Sequence, residues 1–343
     1  MQLFKSSDKN HPRGALRPIG NPARFDIVGE NDENISHSLN RLMVKKQYGK
    51  LRFSFWESRH PRPSFIIKFL EEADEKRPFP DFDWVRIYSA DGPPRQQILD
   101  KSPQYCLLPT ALDTRGSSLP KSMTNLFPLI TTSMDAESCL TPNFGLYPDF
   151  SFWNYHGAYN AVGNSSGWSQ FYPLSQSLTY DDAPLPSMVF RCGYSAAGTR
   201  LASIKLSEKF PHIVDSKAIP IHGEKVRLTP LEMAQRYKYL LDAGGGAYSA
   251  RIKWMLCFKR LSFIREKLWS AFYEINLKPY THYVPLKADI SDLITQYDWA
   301  ESHPNKCEEI IYNCREFAQT TLSPSSLSQR WHNIFATIKQ LYQ

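Results

Sequence analysis

Tyr237-Lys-Tyr-Leu-Leu-Asp-Ala-Gly-Gly-Gly-Ala-Tyr-Ser-Ala-Arg251 decides the fold, because it reads as strand, glycine loop and helix. Tyr237 to Asp242 has the composition of a strand. The glycines at 244–246 let the backbone approach an anion closely. The first N–H groups of the following helix have no internal partners, and the helix dipole favours negative charge there. Ser249 adds a hydroxyl and Arg251 a fixed charge, so the segment suits a diphosphate. The spacing is neither a Walker loop nor G-x-G-x-x-G. A tight strand-to-helix turn with a surface arginine is the alternative reading.

Upstream, Phe190-Arg-Cys-Gly-Tyr-Ser-Ala-Ala-Gly-Thr-Arg200 repeats the logic. It follows a strand at 188–191 and precedes a helix predicted over 199–209. Two such loops on one sheet, each with an arginine, could grip a nucleotide diphosphate from both sides. Further strands are expected at 212–215, 261–264 and 281–284. Helices are expected at 230–236, 249–258, 289–300, 304–321 and 325–342. This alternation implies a parallel sheet covered by helices, with ligands beyond the carboxyl ends of its strands.

The first half reads differently. Ile35, Leu39, Leu42 and Met43 fit a helical spacing within 33–57, and the basic cluster Lys45, Lys46, Lys50 and Arg52 reads as a solvated helix face, with a specific binding patch as the alternative. A second short helix is expected over 65–72. Residues 83–88 read as a strand that ends in Ser-Ala-Asp91-Gly-Pro-Pro, and short strands are expected at 105–108 and 126–130. Asp91 reads either as a turn former or as a general base for an acceptor hydroxyl. Asp81-Phe-Asp83 has the spacing of a metal-binding Asp-x-Asp but leads straight into an apolar strand. Residues 131–187 are rich in Pro, Gly, Ser and aromatics, a long stretch that is out of place inside a compact domain unless it is functional.

A chain of 343 residues with 42% hydrophobic content is expected to form two packed domains. The net charge of +7 suits anionic partners. No RNA-binding motif is visible, so nucleic acid is not an expected partner. The six cysteines form no C-x-x-C pair, which argues against zinc, and Cys192 and Cys257 read as small core residues. No apolar run reaches the ~20 residues of a membrane span, and Met1 to Arg24 has no secretory apolar core. A cytoplasmic protein is therefore expected.

Several stretches closely resemble glycosyltransferase family 90. They are Tyr237-Lys-Tyr, Gly246-Ala-Tyr-Ser-Ala-Arg251-Ile-Lys-Trp-Met-Leu-Cys257, Phe272-Tyr273 and Leu277-Lys-Pro-Tyr-Thr-His-Tyr-Val-Pro-Leu-Lys-Ala-Asp-Ile-Ser-Asp-Leu293. The family includes Rumi-like protein O-glucosyltransferases, fungal capsule-associated proteins and bacterial lipopolysaccharide-modifying enzymes. The resemblance covers roughly residues 79–335. It implies an α/β fold of the GT-B type, two Rossmann-like domains facing each other across a cleft. On that basis 1–50 would be a leader and helix, 51–185 the acceptor-side domain, and 186–343 the donor domain with C-terminal helices.

The resemblance further implies an inverting, metal-independent transfer from UDP-glucose or UDP-xylose, with no cofactor. It places the catalytic base on Asp91, although the family's preceding Arg is Ala90 here. It places donor contacts on Arg191, Gly193, Ser195 and Arg200, in a loop with one extra residue at Phe190-Arg-Cys-Gly193. The second donor loop supplies Gly246, Ala247, Tyr248, Ser249 and Arg251. Acceptor or sugar contacts fall on Trp153, Tyr155 and Trp168. The implied acceptor is a lipopolysaccharide, capsule or other surface glycan, lipid-linked or not, or a protein. Peripheral contact with a membrane through basic and aromatic N-terminal residues is compatible with this. The alternative is a noncatalytic nucleotide-sugar or glycan-binding protein of the same fold.

Overall fold

A computed structural model describes residues 41–55, 62–88, 106–108, 111–112, 140–141, 144–149, 152, 167–193, 198–219, 227–244, 249–267 and 269–341. The strands of its first half are β1 (Arg41–Gln47), β2 (Lys50–Phe55), β3 (Phe82–Tyr88), β4 (Cys106–Leu108), β5 (Ala111–Leu112), β6 (Leu140–Thr141) and β7 (Phe144–Leu146). Those of the second half are β8 (Leu185–Gly193), β9 (Val214–Ile219), β10 (Tyr237–Asp242), β11 (Leu261–Arg265), β12 (Trp269–Ser270) and β13 (Val284–Leu286). The helices are α1 (Arg62–Lys76), α2 (Trp168–Ser177), α3 (Thr199–Lys209), α4 (Pro230–Arg236), α5 (Ile252–Met255), α6 (Leu293–Ser302), α7 (Pro304–Leu322) and α8 (Pro324–Leu341).

The second half forms a five-stranded sheet in the order β13-β11-β10-β8-β9, with every pairing parallel. β10 lies at its centre and is covered on both faces, as parallel strands usually are. From Tyr239 to Leu241 its side chains alternate between two cores, Leu240 joining one cluster and Tyr239 and Leu241 the other; Tyr237 falls in the cluster of Leu240 because the pairing with β8 shifts register between Tyr237 and Tyr239. α4 starts where the sequence says it should. Thr229 and Glu232 form a reciprocal capping box ahead of β10, and Pro230 occupies the first turn. Cys192, Cys257, Cys307 and Cys314 are free and buried.

The first half forms a mixed six-stranded sheet, β2-β1-β3-β4-β7-β6, and β5 pairs with β12. Here the helix expected within 33–57 is overturned, since its described part is the hairpin β1–β2. Leu42 and Val44 alternate inward at period two, and Tyr48-Gly49 supplies the left-handed pair (φ 53 and 71) that a two-residue hairpin turn needs. The apolar spacing could be read with either period, and the pairing of β1 with β2 and β3 settles it. Lys46 is not on a solvated helix face; it is buried and ion-paired to Asp74 at 2.6 Å. Asp81 accepts the turn amides of Tyr48 and Gly49 at 2.9 and 3.0 Å, so its carboxylate clamps the hairpin.

Other boundaries moved. The strand expected at 212–215 runs from Val214 to Ile219, and that at 281–284 from Val284 to Leu286. The helix expected over 249–258 is only α5, of four residues. Ile252 to Phe258 are all buried, and the chain must re-enter the sheet at Leu261. The strand expected at 126–130 lies outside the described residues.

The C-terminal helix α8 packs on α1 and β3. Phe335 stacks on Phe82 at 4.0 Å, and Trp331 meets Phe69 edge-on at 6.1 Å. The last helix, expected with the donor half, thus packs against first-half elements. No described helix is long and apolar enough to cross a membrane.

Candidate functional site

In chain order the parallel sheet reads second, first, third, fourth, fifth from its β9 edge. The connection after β8 leads to β9 on one side, and that after β10 leads to β11 on the other. Diverging connections leave a crevice beyond the carboxyl ends of β8 and β10, where doubly wound sheets accept ligands. Both sequence-predicted donor loops leave the sheet at this point.

The two loops are tied together. Thr199 Oγ1, in the first turn of α3, donates to the Ala243 carbonyl at 2.7 Å, and Arg200 Nε donates to the Gly244 carbonyl at 3.0 Å. Gly198 turns into the helix with a left-handed φ of 55. Arg251 reaches back the other way. Its Nη1 donates to the Arg191 carbonyl at 3.0 Å, its Nε lies 3.4 Å from Asp242 Oδ1, and its guanidinium sits 4.2 Å from the Phe190 ring centroid. Burial pushes the Arg251 pKa down and Arg200 adds to this, while Asp242 pulls it back up. Burial raises the Cys192 thiol pKa, and Arg200, Arg251 and Arg191 oppose that rise. Arg200 and Arg251 therefore share one partly buried space at the end of β8. Asp242 is the carboxylate that contacts Arg251 there, among the described residues. A buried guanidinium, Arg251, and a half-buried one, Arg200, beside one carboxylate make a place for an anion.

Arg191 does not join them. Its guanidinium turns toward β9, pairing with Asp215 Oδ2 at 2.8 Å and donating to the Asp215 carbonyl at 2.7 Å. Burial alone would raise the Asp215 pKa, but hydrogen bonds from Arg191 and the Tyr237 hydroxyl outweigh it and hold the carboxyl below its usual range. Arg191 is a strut between strands, and its carbonyl accepts from Arg251 of the second loop. Gly193 ends β8, and among the described residues no atom lies within 4 Å of where a Cβ would stand. Ser249 is buried, and its hydroxyl donates to Asp242 Oδ1 at 2.7 Å. With α5 only four residues long, little macrodipole is available, so attraction for an anion rests on the arginines.

Trp168 is corrected. It is 1% exposed, donates its indole N–H to the Leu322 carbonyl at 2.6 Å, and packs among Phe152, Phe171 and Tyr172. Its ring faces are covered by protein, so it is a core residue and presents no sugar platform. Asp91, Trp153, Tyr155, Ser195, Gly246, Ala247 and Tyr248 lie outside the described residues.

Two residues at this edge escaped the sequence reading. Asp242 is fully buried at the end of an apolar strand, and that position was its only signal. Arg265 ends β11, with Nη1 donating to the Ala288 carbonyl at 3.0 Å. Gly244 has φ +102, and a Cβ there would fall 2.2 Å from Arg265 Nε. Gly244 is held between Arg200 on its carbonyl and Arg265 against its Cα. The third notable group is Lys253, buried beside the Phe152 ring at 4.5 Å. Burial pushes its pKa down to about 8 against the pull of Asp149 and Glu274. Among the described residues no cluster of three or more His, Cys, Asp or Glu could hold a metal ion.

These features define an α/β protein with a cationic crevice at the switch point of a parallel sheet. The chain belongs to glycosyl transferase family 90, whose family model matches residues 137–343, more than half of it. Uncharacterized protein 179R of Invertebrate iridescent virus 6 is 27% identical over 273 residues, 75% of this chain and 21% of that protein. Protein O-glucosyltransferase 1 of Homo sapiens is 24% identical over 233 residues, 64% of this chain and 58% of that protein. O-glucosyltransferase rumi of Drosophila melanogaster is 29% identical over 159 residues, 42% of this chain and 38% of that protein. The chain thus spans between 21% and 58% of the length of these relatives. A solved glycosyltransferase from Rickettsia africae ESF-5 overlays with a TM-score of 0.41 at 10% identity, covering 83% of this chain and 84% of that one. Asp91 lies outside the residues matched by the family model.

Proposed function

We propose that the chain is an inverting glycosyltransferase that moves glucose or xylose from a UDP-sugar to a hydroxyl of a surface glycan or a protein. The observation that carries this reading is the convergence of Arg200 and Arg251 beyond β8 and β10, with Asp242 the one contacting carboxylate among the described residues. Membership of the family and similarity to proteins named O-glucosyltransferases support it. We further propose the two-domain GT-B arrangement, with 51–185 on the acceptor side and 186–343 on the donor side.

In the mechanism Asp91 accepts the proton of the acceptor hydroxyl as its oxygen attacks the anomeric carbon. The bond from that carbon to the diphosphate breaks and its electron pair leaves with UDP. No metal is assigned a role, so charge developing on the diphosphate falls to Arg200 and Arg251, preorganised in a partly dehydrated space. Trp153 and Tyr155 supply faces for the acceptor or sugar.

The test is UDP titration and UDP-glucose turnover on the full chain. Arg251→Ala and Arg200→Ala should each weaken UDP binding about 10- to 100-fold, the value of one charge-assisted contact. Asp91→Asn should abolish turnover and leave UDP binding intact, and EDTA should leave the rate unchanged. An active, well-folded Asp91→Asn variant sinks the assignment of the base. UDP binding without turnover of UDP-glucose or UDP-xylose on any acceptor would favour the noncatalytic reading.

A further inference from the structure

We propose that Asp242 is a positioning residue for the donor diphosphate, acting as a buried clamp that shapes the second loop. The inference rests on the reading above that this crevice takes a UDP-sugar. Asp242 is 0% exposed, although it is the last residue of a strand that opens into a binding loop. A carboxylate so buried is costly unless it is well used. Its Oδ1 meets three donors from both ends of the loop: the Gly244 amide at 3.2 Å, the Ser249 hydroxyl at 2.7 Å and Arg251 Nε at 3.4 Å. One oxygen thus fixes where the loop leaves the sheet, where it returns, and how the guanidinium of Arg251 is aimed. Its Oδ2 is also buried and has no hydrogen-bond partner among the described residues. Among the described residues the hydrogen bonds and ion pair of the carboxylate all lie at the two ends of the loop.

The neighbours agree. Gly244, the first residue clamped, also gives its carbonyl to Arg200 and lies against the Arg265 guanidinium. Moving Gly244 would disturb both guanidiniums. Asp242 touches neither the sugar nor the reacting atoms in this scheme. Because it carries negative charge beside an anion site, its charge alone would weaken diphosphate binding. Geometry is the contribution that helps.

That opposition of sign makes the idea testable. UDP is titrated calorimetrically into wild type, Asp242→Ala, Asp242→Asn and Arg251→Ala, each checked for folding by thermal melting. Asparagine keeps an oxygen for the Gly244 amide and the Ser249 hydroxyl but carries no charge. Asp242→Ala should lose about 10-fold or more in UDP affinity, and Asp242→Asn should restore it to within about threefold. Wild-type affinity in Asp242→Ala overturns the proposal, as does an Asp242→Asn variant as weak as Asp242→Ala. Should Asp242→Ala not fold, Ser249→Ala removes one donor and leaves the carboxylate. It should weaken UDP about threefold, and no change would overturn the clamp. Affinity lost in Arg251→Ala but unmoved by Asp242→Ala sinks this inference alone. A wild-type protein that does not bind UDP sinks the donor-site reading and this inference with it.

Discussion

Replacing Gly244 by alanine probes the join between the two halves of the candidate donor site. Gly244 sits at φ +102, a conformation that costs a residue with a Cβ about 1–3 kcal/mol. The added methyl would lie 2.2 Å from Arg265 Nε and 2.7 Å from its Cζ and Nη2, so the guanidinium must swing away. Swinging strains or breaks the bond from Arg265 Nη1 to the Ala288 carbonyl, a charged donor worth about 1.5–3 kcal/mol when fully lost. Arg265 is half-buried with a flexible stem, so part of that loss is recovered through water. The sum is about 3–4 kcal/mol of lost stability. Urea unfolding of wild type, Gly244→Ala, Arg265→Ala and the double variant measures it. The double variant should fall short of the sum of the singles by about 1–2 kcal/mol, because Arg265→Ala removes the clash and leaves the strain. A Gly244→Ala variant within about 1 kcal/mol of wild type would refute the reasoning. Full additivity would show that backbone strain, and not the Arg265 contact, is the whole cost.

Arg191→Met should destabilise by about 2–3 kcal/mol in the same assay, below the usual cost of breaking a buried pair, because Asp215 is 17% exposed and keeps Tyr237 and Lys217 as partners. The Asp215 pKa is lowered in the fold, so its stabilisation is present above the unfolded value of 3.8 and fades as pH falls through the folded value. The gap between wild type and variant should therefore narrow below about pH 4, and a constant gap would sink the pairing. Lys253 carries the opposite kind of shift. With its pKa lowered from 10.5 to about 8, the unfolded chain binds more protons between those values. Wild type should thus gain stability relative to Lys253→Met as pH rises from about 8 to 10, and a flat difference would remove the buried cation from the account.

The parallel half of the fold was legible because its signals are local. Apolar β8, β10 and β11 alternate with helices, and glycine loops follow two strands. The same signals placed Arg200 and Arg251 on those loops. The N-terminal hairpin was misread because Leu42 and Met43 fit a helical spacing as readily as a strand, and only pairing of β1 with β2 and β3 settles the period. α5 was overestimated because its residues pack on all sides, which leaves no amphipathic period to mark its end.

Side-chain direction is where the chain alone falls silent. Arg191 and Arg251 look alike in the sequence, each beside a glycine loop, yet one braces β9 and the other turns into the crevice. Trp168 sits in a stretch that the family resemblance marks for substrate binding, but α2 buries it. Asp242 looked like the polar end of a strand until Gly244, Ser249 and Arg251 came together on one of its oxygens. By itself the sequence determined the order of strands, loops and helices in the parallel half, because spacing and glycine chemistry act within a few residues. Only the tertiary structure decided which charges face the crevice. That depends on the neighbouring strand, on burial, and on which opposite charge lies within about 4 Å, and these are set by contacts between residues far apart in the chain.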